Sequence, residues 1–403
     1  MSQRERSFTR WALISSGEGG GRIAAEFLAR NENPGIEDRI LILNTNRADI
    51  RNTMDHAGLE DALDDDPGVV FGSKRGVGNN FLAGEECARE DVSKIIDNVD
   101  DFTIGSDAFV YLTTLGGGTG SGSIPYLIRQ ISQDSDVELP GWLDNDTLVN
   151  VAFAAWPYYD EPAQRQFNAI CGLSRLLMDR DGSQNADMVL LAANSHLDND
   201  DGVGSYGTVN ERIVTAIDLL ISAGREARGV IDVEDYVAKP SEIGAYHFTP
   251  AVATGLNGKM IEYELMFDRA ADQTFVPMDV STSRAAYAVV RAPEHLIESG
   301  DVTETGVQSA FSTWKRKNDI GGAVGMTTLT PKEGRGNDVD VLLLLGGFDL
   351  NPLLDHARDA FEEHKDNIEV ARQLGNGAEN AISEAHLADL EENLDRYVSL
   401  NAR

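Results

Sequence analysis

The run Gly116-Gly117-Gly118-Thr119-Gly120-Ser121-Gly122 decides the fold of this chain. It follows an unbroken apolar stretch, Ala108 to Leu115 (AFVYLTTL), which reads as a buried parallel strand. It precedes Ile124 to Ile131 (IPYLIRQI), which reads as a helix with Pro125 in its first turn. A strand that feeds a glycine-rich turn and then a helix has the geometry of a phosphate site. Without Cβ atoms the backbone N–H groups can close around oxygens, and the helix N-terminus adds partial positive charge. Thr119 and Ser121 offer hydroxyl donors. A flexible linker has similar composition, but it does not sit between a hydrophobic strand and a helix.

A second glycine run lies near the start. Trp11 to Ser15 reads as a short strand, then come Gly17-Glu18-Gly19-Gly20-Gly21 and a helix from Arg22 to about Arg30. Arg39 to Asn44 (RILILN) is a second strand. Taken alone, this arrangement could open a dinucleotide fold, which would make the chain a NAD-linked oxidoreductase. Such folds carry an acidic residue roughly twenty positions on to hold the ribose, and here Asn44-Thr45-Asn46 stand in its place. A P-loop is excluded, because no GxxxxGK[ST] occurs and no lysine follows either glycine run. Phosphate charge must then be met by backbone N–H groups, helix N-termini and a divalent cation.

The string GGGTGSG resembles the signature of the tubulin/FtsZ superfamily, and its flanks look most like the archaeal CetZ branch. The resemblance runs from about Phe8 to about Asn367 and implies an α/β architecture. A parallel-sheet, Rossmann-like GTPase domain (1–208) would join through a long central helix (209–229) to a smaller α+β domain (230–350). A helical acidic extension (351–403) would follow. The implied ligands are GTP or GDP with Mg²⁺, and the implied partner is a second copy of the chain, added head to tail.

Carried over by position, Gly17, Glu18, Gly19, Gly20 and Gly21 match the first phosphate loop, with Glu18 and Arg22 where CetZ-like proteins usually have Gln and Lys. Glu18 is expected to point away from phosphate or to reach the magnesium shell. Gly116, Gly117, Gly118, Thr119, Gly120, Ser121 and Gly122 match the signature loop. Asn44 and Thr45 match the pair after the second strand, and Arg75-Gly76-Val77-Gly78-Asn79 resembles the loop that senses the γ-phosphate. Pro157, Glu161, Arg165 and Asn168 match the ribose-side segment, Asn194 ends the Met188 strand, and Asn210 matches the residue that pairs with the guanine edge. A buried Asn can accept from N1–H and N2–H₂ through its carbonyl oxygen, which favours guanine over adenine. Any one of these asparagines reads equally well as a cap or turn residue; their joint order favours the ligand reading.

The implied catalytic half-site is Gly229-Val230-Ile231-Asp232-Val233-Glu234-Asp235, in which Asp232 and Asp235 can share one helical face. A helix from Asn210 to Asp232 would span about 33 Å, so this pair could not reach its own nucleotide. In the superfamily the equivalent acidic loop acts on the next subunit's nucleotide. A chance D-x-x-D pair is the competing reading in so acidic a chain. The alternative function is a guanine-nucleotide-binding regulator or scaffold that does not hydrolyse.

Composition bounds the rest. The 403 residues leave room for two or three domains. No long apolar run or leader is read, so a cytoplasmic protein without membrane insertion is expected. Cys87 and Cys171 read as buried thiols, and the seven histidines show no metal spacing. The net charge is −33, with acids in every segment and eight lysines against 26 arginines. Such a surface repels nucleic acid. It suits a halophilic archaeal cytosol, where salt screens the self-repulsion.

Further elements are read at about Glu85 to Val99 (helix), Leu148 to Trp156 and Met188 to Asn194 (strands). Val209 to Gly229 reads as a helix opened by a Thr208/Glu211 capping box. Strands are read at Ala285 to Arg291, Ala323 to Leu329 and Val341 to Leu345, with a helix at Gly306 to Lys317. Asn376 to Arg403 reads as a solvated helical extension. FtsZ's terminal proline-hydrophobic docking peptide has no counterpart.

Overall fold

The structure, a computed structural model, describes residues 9–30, 35–36, 39–59, 67–72, 75–132, 137–143, 148–198, 206–223, 233–374 and 382–402. The first half alternates strands and helices: β1 (Trp11–Ser16), α1 (Gly17–Arg30), β2 (Ile40–Asn44), α2 (Arg47–His56), β3 (Gly68–Val70), α3 (Phe81–Glu90), α4 (Val92–Thr103), β4 (Ala108–Thr114), α5 (Gly118–Ser132), β5 (Val149–Trp156), α6 (Ala163–Leu177), β6 (Met188–Ala193), α7 (Asn194–Leu197) and α8 (Tyr206–Ser222). Then come α9 (Val233–Glu242), β7 (His247–Asn257), α10 (Tyr263–Ala271), β8 (Ala285–Pro293), α11 (Glu294–Glu298), α12 (Glu304–Lys317), β9 (Thr327–Lys332), β10 (Asp338–Gly346), α13 (Asn351–Gln373) and α14 (Glu384–Asn401).

Among the described residues these strands form one sheet in the order β3-β2-β1-β4-β5-β6-β7-β10-β8-β9. The six strands of the first half are mutually parallel, β7 joins β6 in parallel, and β10 runs antiparallel to both β7 and β8. Strands β1, β2, β4, β5 and β6 are apolar on both faces because helices cover both sides. The two halves meet where β6 pairs with β7, at Val189–His247 and Leu190–Phe248. Helix α8 packs an apolar face of Ile213, Ile217, Leu220 and Ile221 into the core beside that join.

Several boundaries differ from expectation. Gly17–Gly21 form the opening turn of α1 itself, and Gly118–Gly122 that of α5, with Gly116 and Gly117 as the turn ahead of it. The helix read over Glu85–Val99 is two, α3 and α4, broken at Asp91. Helix α8 begins at Tyr206, so Thr208 lies inside its first turn rather than capping it; beyond Ala223 the expected continuation to Gly229 lies outside the described residues. Strand β9 starts at Thr327, leaving Ala323–Met326 as an irregular approach to it.

The C-terminal stretch is the largest correction. Helix α14 is not a solvated extension: Leu390, Leu394, Tyr397 and Val398 are buried against the first half. The Ser174 hydroxyl on α6 donates to the Leu390 carbonyl at 2.8 Å. The Tyr397 hydroxyl accepts from the backbone N–H of Tyr246 (2.8 Å) and of His247 (3.1 Å), and donates to His247 Nδ1 (2.8 Å). His247 Nε2 in turn donates to the Phe348 carbonyl at 2.7 Å.

Complete burial pushes His247 down to about 4 from its ordinary 6.5, so folding holds the ring neutral. The unfolded chain binds this proton more readily. The His247 contribution is therefore intact above pH 6.5 and drains as pH falls toward 4. At about 1.4 kcal/mol per pKa unit the loss approaches roughly 3 kcal/mol at the low end. Thermal melts should therefore fall steadily between pH 6.5 and 4 and fall less steeply in His247→Gln. An identical slope in that variant would assign the pH sensitivity elsewhere.

Candidate functional site

One cavity of about 390 Å³ opens at the C-terminal ends of the first-half strands, where ligands of open α/β sheets bind. It is bounded by the ends of β1, β2, β4 and β6, the loop after β3 and the start of α8. Of the residues singled out from the sequence, Gly17, Glu18, Gly19, Asn44, Gly76, Gly116, Gly117, Gly118, Thr119, Gly120, Glu161, Arg165, Asn194 and Asn210 all line it.

The N-termini of α1 and α5 meet in this cavity. The first-turn N–H groups of a helix have no intrahelical acceptor and carry its positive dipole end. The two ends approach so closely that the turn demands glycine: Gly17 has φ +81°, and a Cβ there would lie 3.1 Å from the Gly120 nitrogen. Thr119 and Thr45 hydroxyls meet at 2.9 Å and tie the signature turn to β2.

Several of the glycines also serve packing. A Cβ on Gly20 would sit 2.4 Å from the Leu112 carbonyl, so this glycine lets α1 close onto β4. Gly21 faces Ile42 and Thr53, away from the cavity. A Cβ on Gly122 would fall 1.9 Å from the Phe81 carbonyl, and one on Gly118 2.5 Å from the Asn80 nitrogen. Ser121 is also corrected: its hydroxyl turns back to donate to the Leu115 carbonyl and is unavailable to a ligand there.

Asn168 is a further correction. It is 2% exposed and outside the cavity lining, and its side-chain amide donates to the carbonyls of Asn79 (2.8 Å) and Gly116 (3.2 Å). It holds two cavity loops rather than a ribose.

Two of the three acids that line the cavity are ion-paired. Glu18 does not face the cavity as a lone carboxylate, because Arg22, one turn on, binds it at 2.6 Å. Glu161 is bound by Arg165 and also accepts from the Tyr158 N–H at 3.0 Å. Asp49 in the first turn of α2 accepts from the Asn46 side chain at 2.8 Å. Burial first, and the nearby Glu18 charge second, raise its carboxyl above the usual range. Three acids against two arginines leave the lining side chains at −1, so they cannot neutralise a polyphosphate.

Among the lining residues that the sequence reading missed, Asp49 and Tyr206 carry ionisable side chains. Asp49 carried no signal beyond its place one turn past Asn44. Tyr206 stands four residues before Asn210, on the same helical face, with its ring 5.3 Å edge-on from Tyr158. That i, i+4 spacing could have revealed it, had the helix start been placed three residues earlier. Asp232 lies outside the described residues, and Asp235 falls in the first turn of α9. No group of three or more His, Cys, Asp or Glu among the described residues could hold a metal unaided. None of the described helices is long and apolar enough to cross a membrane.

A parallel sheet with two glycine-opened helices aimed at one cavity is the arrangement of a candidate phosphate site in an α/β fold. Residues 11–200 match the Tubulin/FtsZ family, GTPase domain. Among curated proteins it is similar to tubulin-like protein CetZ1 of Haloferax volcanii, 27% identical over 58% of this chain and 55% of the relative. Tubulin-like protein CetZ2 of the same organism is 24% identical over 87% of this chain and 93% of the relative. The match thus spans about half the length of CetZ1, and most of CetZ2. Among solved structures, the GTPγS-bound CetZ2 protofilament aligns with TM-score 0.69 at 22% identity, covering 89% of this chain and all of that one. A CetZ from Methanosaeta thermophila aligns with TM-score 0.67 at 18% identity, covering 96% of this chain and 99% of that one. These likenesses bear out the α/β, tubulin-like architecture read from the glycine runs.

Proposed function

We propose that this chain binds GTP in the cavity, assembles head to tail with copies of itself, and hydrolyses the nucleotide at the interface between copies. The observation that carries the reading is the convergence of the α1 and α5 N-termini on a cavity whose side chains supply no free cation. The triphosphate would lie against those N–H groups, and the base would lie between Tyr206 and Asn210. Glu18 and Asp49, with phosphate oxygens, would hold Mg²⁺, which supplies the missing positive charge.

The placement of α9 supports action on a neighbour. Its Ser241 hydroxyl accepts from Gln184 (3.3 Å), and Gln184 lies just before β6. This is the N-terminal edge of the sheet, about 20 Å of strand from the cavity. Asp232 precedes this helix in the chain and Asp235 lies in its first turn, so they are proposed to serve the cavity of the next copy. A CetZ2 relative is described as a protofilament, which agrees with this stacking. Calorimetry on purified protein should give guanine nucleotide binding at least about tenfold tighter than adenine, since an Asn reading a purine edge discriminates by one or two hydrogen bonds. Equal affinity for ATP, or tight binding of NAD, would overturn the reading.

A further inference from the structure

We propose that Gln164 and Asn168 on α6 are positioning residues that set the preference of this site for a triphosphate over a diphosphate. The inference rests on the guanine-nucleotide reading above and adds to it the part that distinguishes the two ligands.

The loop from Gly76 to Asn79 lines the cavity, and Asn80 follows it. Its ends are anchored: the Gly76 N–H donates to the Thr45 carbonyl at 3.2 Å, and the Asn80 side chain caps α3 by accepting from the Ala83 N–H at 3.2 Å. Between them Gly76, Gly78 and Asn79 all have positive φ, at 81°, 57° and 62°. Glycine adopts this region freely, but Asn79 carries a Cβ and needs outside support to stay there. The support comes from α6. The Asn79 carbonyl accepts from Gln164 Nε2 at 3.0 Å and from Asn168 Nδ2 at 2.8 Å. Two side-chain amides on successive turns of one helix thus clamp a single carbonyl. Asn168 is buried and also reaches the Gly116 carbonyl at 3.2 Å, so the clamp registers this loop against the signature turn.

The place of the loop in the sheet gives the clamp its consequence. Tyr206 and Asn194 stand at the β6 side of the cavity and the turns after β1 and β4 are central, while the loop after β3 runs from Thr45 beside β2, at its Gly76 end, to α6 at Asn79. With the base at Tyr206, the α- and β-phosphates meet the central turns and the terminal phosphate meets the Gly76–Asn79 backbone. Fixing Asn79 therefore acts on the phosphate that a diphosphate lacks.

The test is titration of the full chain with GTPγS and with GDP, comparing wild type, Gln164→Met, Gln164→Glu and Asn168→Asp. Gln164 is only partly buried, so its variants should melt at the wild-type temperature. Each should lose about 3- to 10-fold in GTPγS affinity, the equivalent of one hydrogen bond, with GDP affinity changed less than about twofold. Asn168→Asp places a carboxylate against two carbonyl oxygens and should shift the ratio further. A purely structural role would weaken both nucleotides together. Equal weakening, or an unchanged GTPγS-to-GDP ratio in all three variants, would overturn the proposal while leaving guanine-nucleotide binding intact. Wild-type protein that binds neither nucleotide would overturn the underlying reading, and this proposal with it.

Discussion

Gly122→Val should leave the chain unable to fold, although the residue is outside the cavity lining. The added Cβ would fall 1.9 Å from the Phe81 carbonyl oxygen and 2.6 Å from the Glu85 nitrogen, both backbone atoms of α3. Gly84 on α3 faces back the same way, its Cβ position 2.3 Å from the Gly118 carbonyl. Helices α3 and α5 therefore meet backbone to backbone, with no rotamer available to make room. Overpacking that side chains can absorb costs about 1–3 kcal/mol. Here the helices must separate, and the loss should exceed that range and consume most of a typical stability of about 5–15 kcal/mol. Gly117→Ala is the control. Its Cβ would have 3.8 Å of clearance from the Thr114 carbonyl, so the protein should fold normally while its cavity is altered. Circular dichroism melts of the two variants decide the matter. A Gly122→Val protein that melts with the wild type would refute the close-packing account.

Asp235→Ala should bind GTP with unchanged affinity and hydrolyse it about 100- to 10,000-fold more slowly, the range for removing a group that positions or deprotonates the attacking water. The loss should be repairable from outside. Gly117→Val fills the cavity but retains the acidic segment, so each variant holds the half-site the other lacks. Mixing them should restore turnover at mixed interfaces, and wild-type activity per molecule should rise with protein concentration. Specific activity that stays constant down to dilution beyond any assembly would mean that one copy holds a complete site. Normal turnover by Asp235→Ala would favour the chance-charge reading of the D-x-x-D pair.

The first half of this fold was legible because its strands are buried on both faces and therefore spell continuous apolar runs, as at Ala108–Thr114 and Val149–Trp156. Strand β7 was missed because Pro250 argues against a central strand; here Pro250 pairs with Leu344 of β10, and its carbonyl accepts from Phe275. Helix α14 was read as solvated because acids recur along it and no motif stands out. Yet Leu390, Leu394, Tyr397 and Val398 fall at i, i+4, i+7 and i+8, the spacing of a buried stripe. In the site, the glycine runs announced the cavity but not the division of labour within them. Whether a glycine faces a phosphate or a neighbouring helix depends on what packs behind it. The same limit applies to Asn168 and Ser121, whose polar atoms point to backbone carbonyls that no local pattern reveals.

The C-terminal helix also bears on how such chains can be recombined. Among the described residues the β6–β7 ladder has two register pairs. Helix α14 crosses that seam, reaching Ser174 and Asp179 on one side and Gly244, His247 and Arg284 on the other. A chimera that exchanged the first half alone with a relative's would cut through these contacts and leave a foreign surface beneath Leu390 and Tyr397. The heritable module is discontinuous: residues 11–223 travel with 383–402, and a graft that omits the second segment inherits the cavity without its fastening.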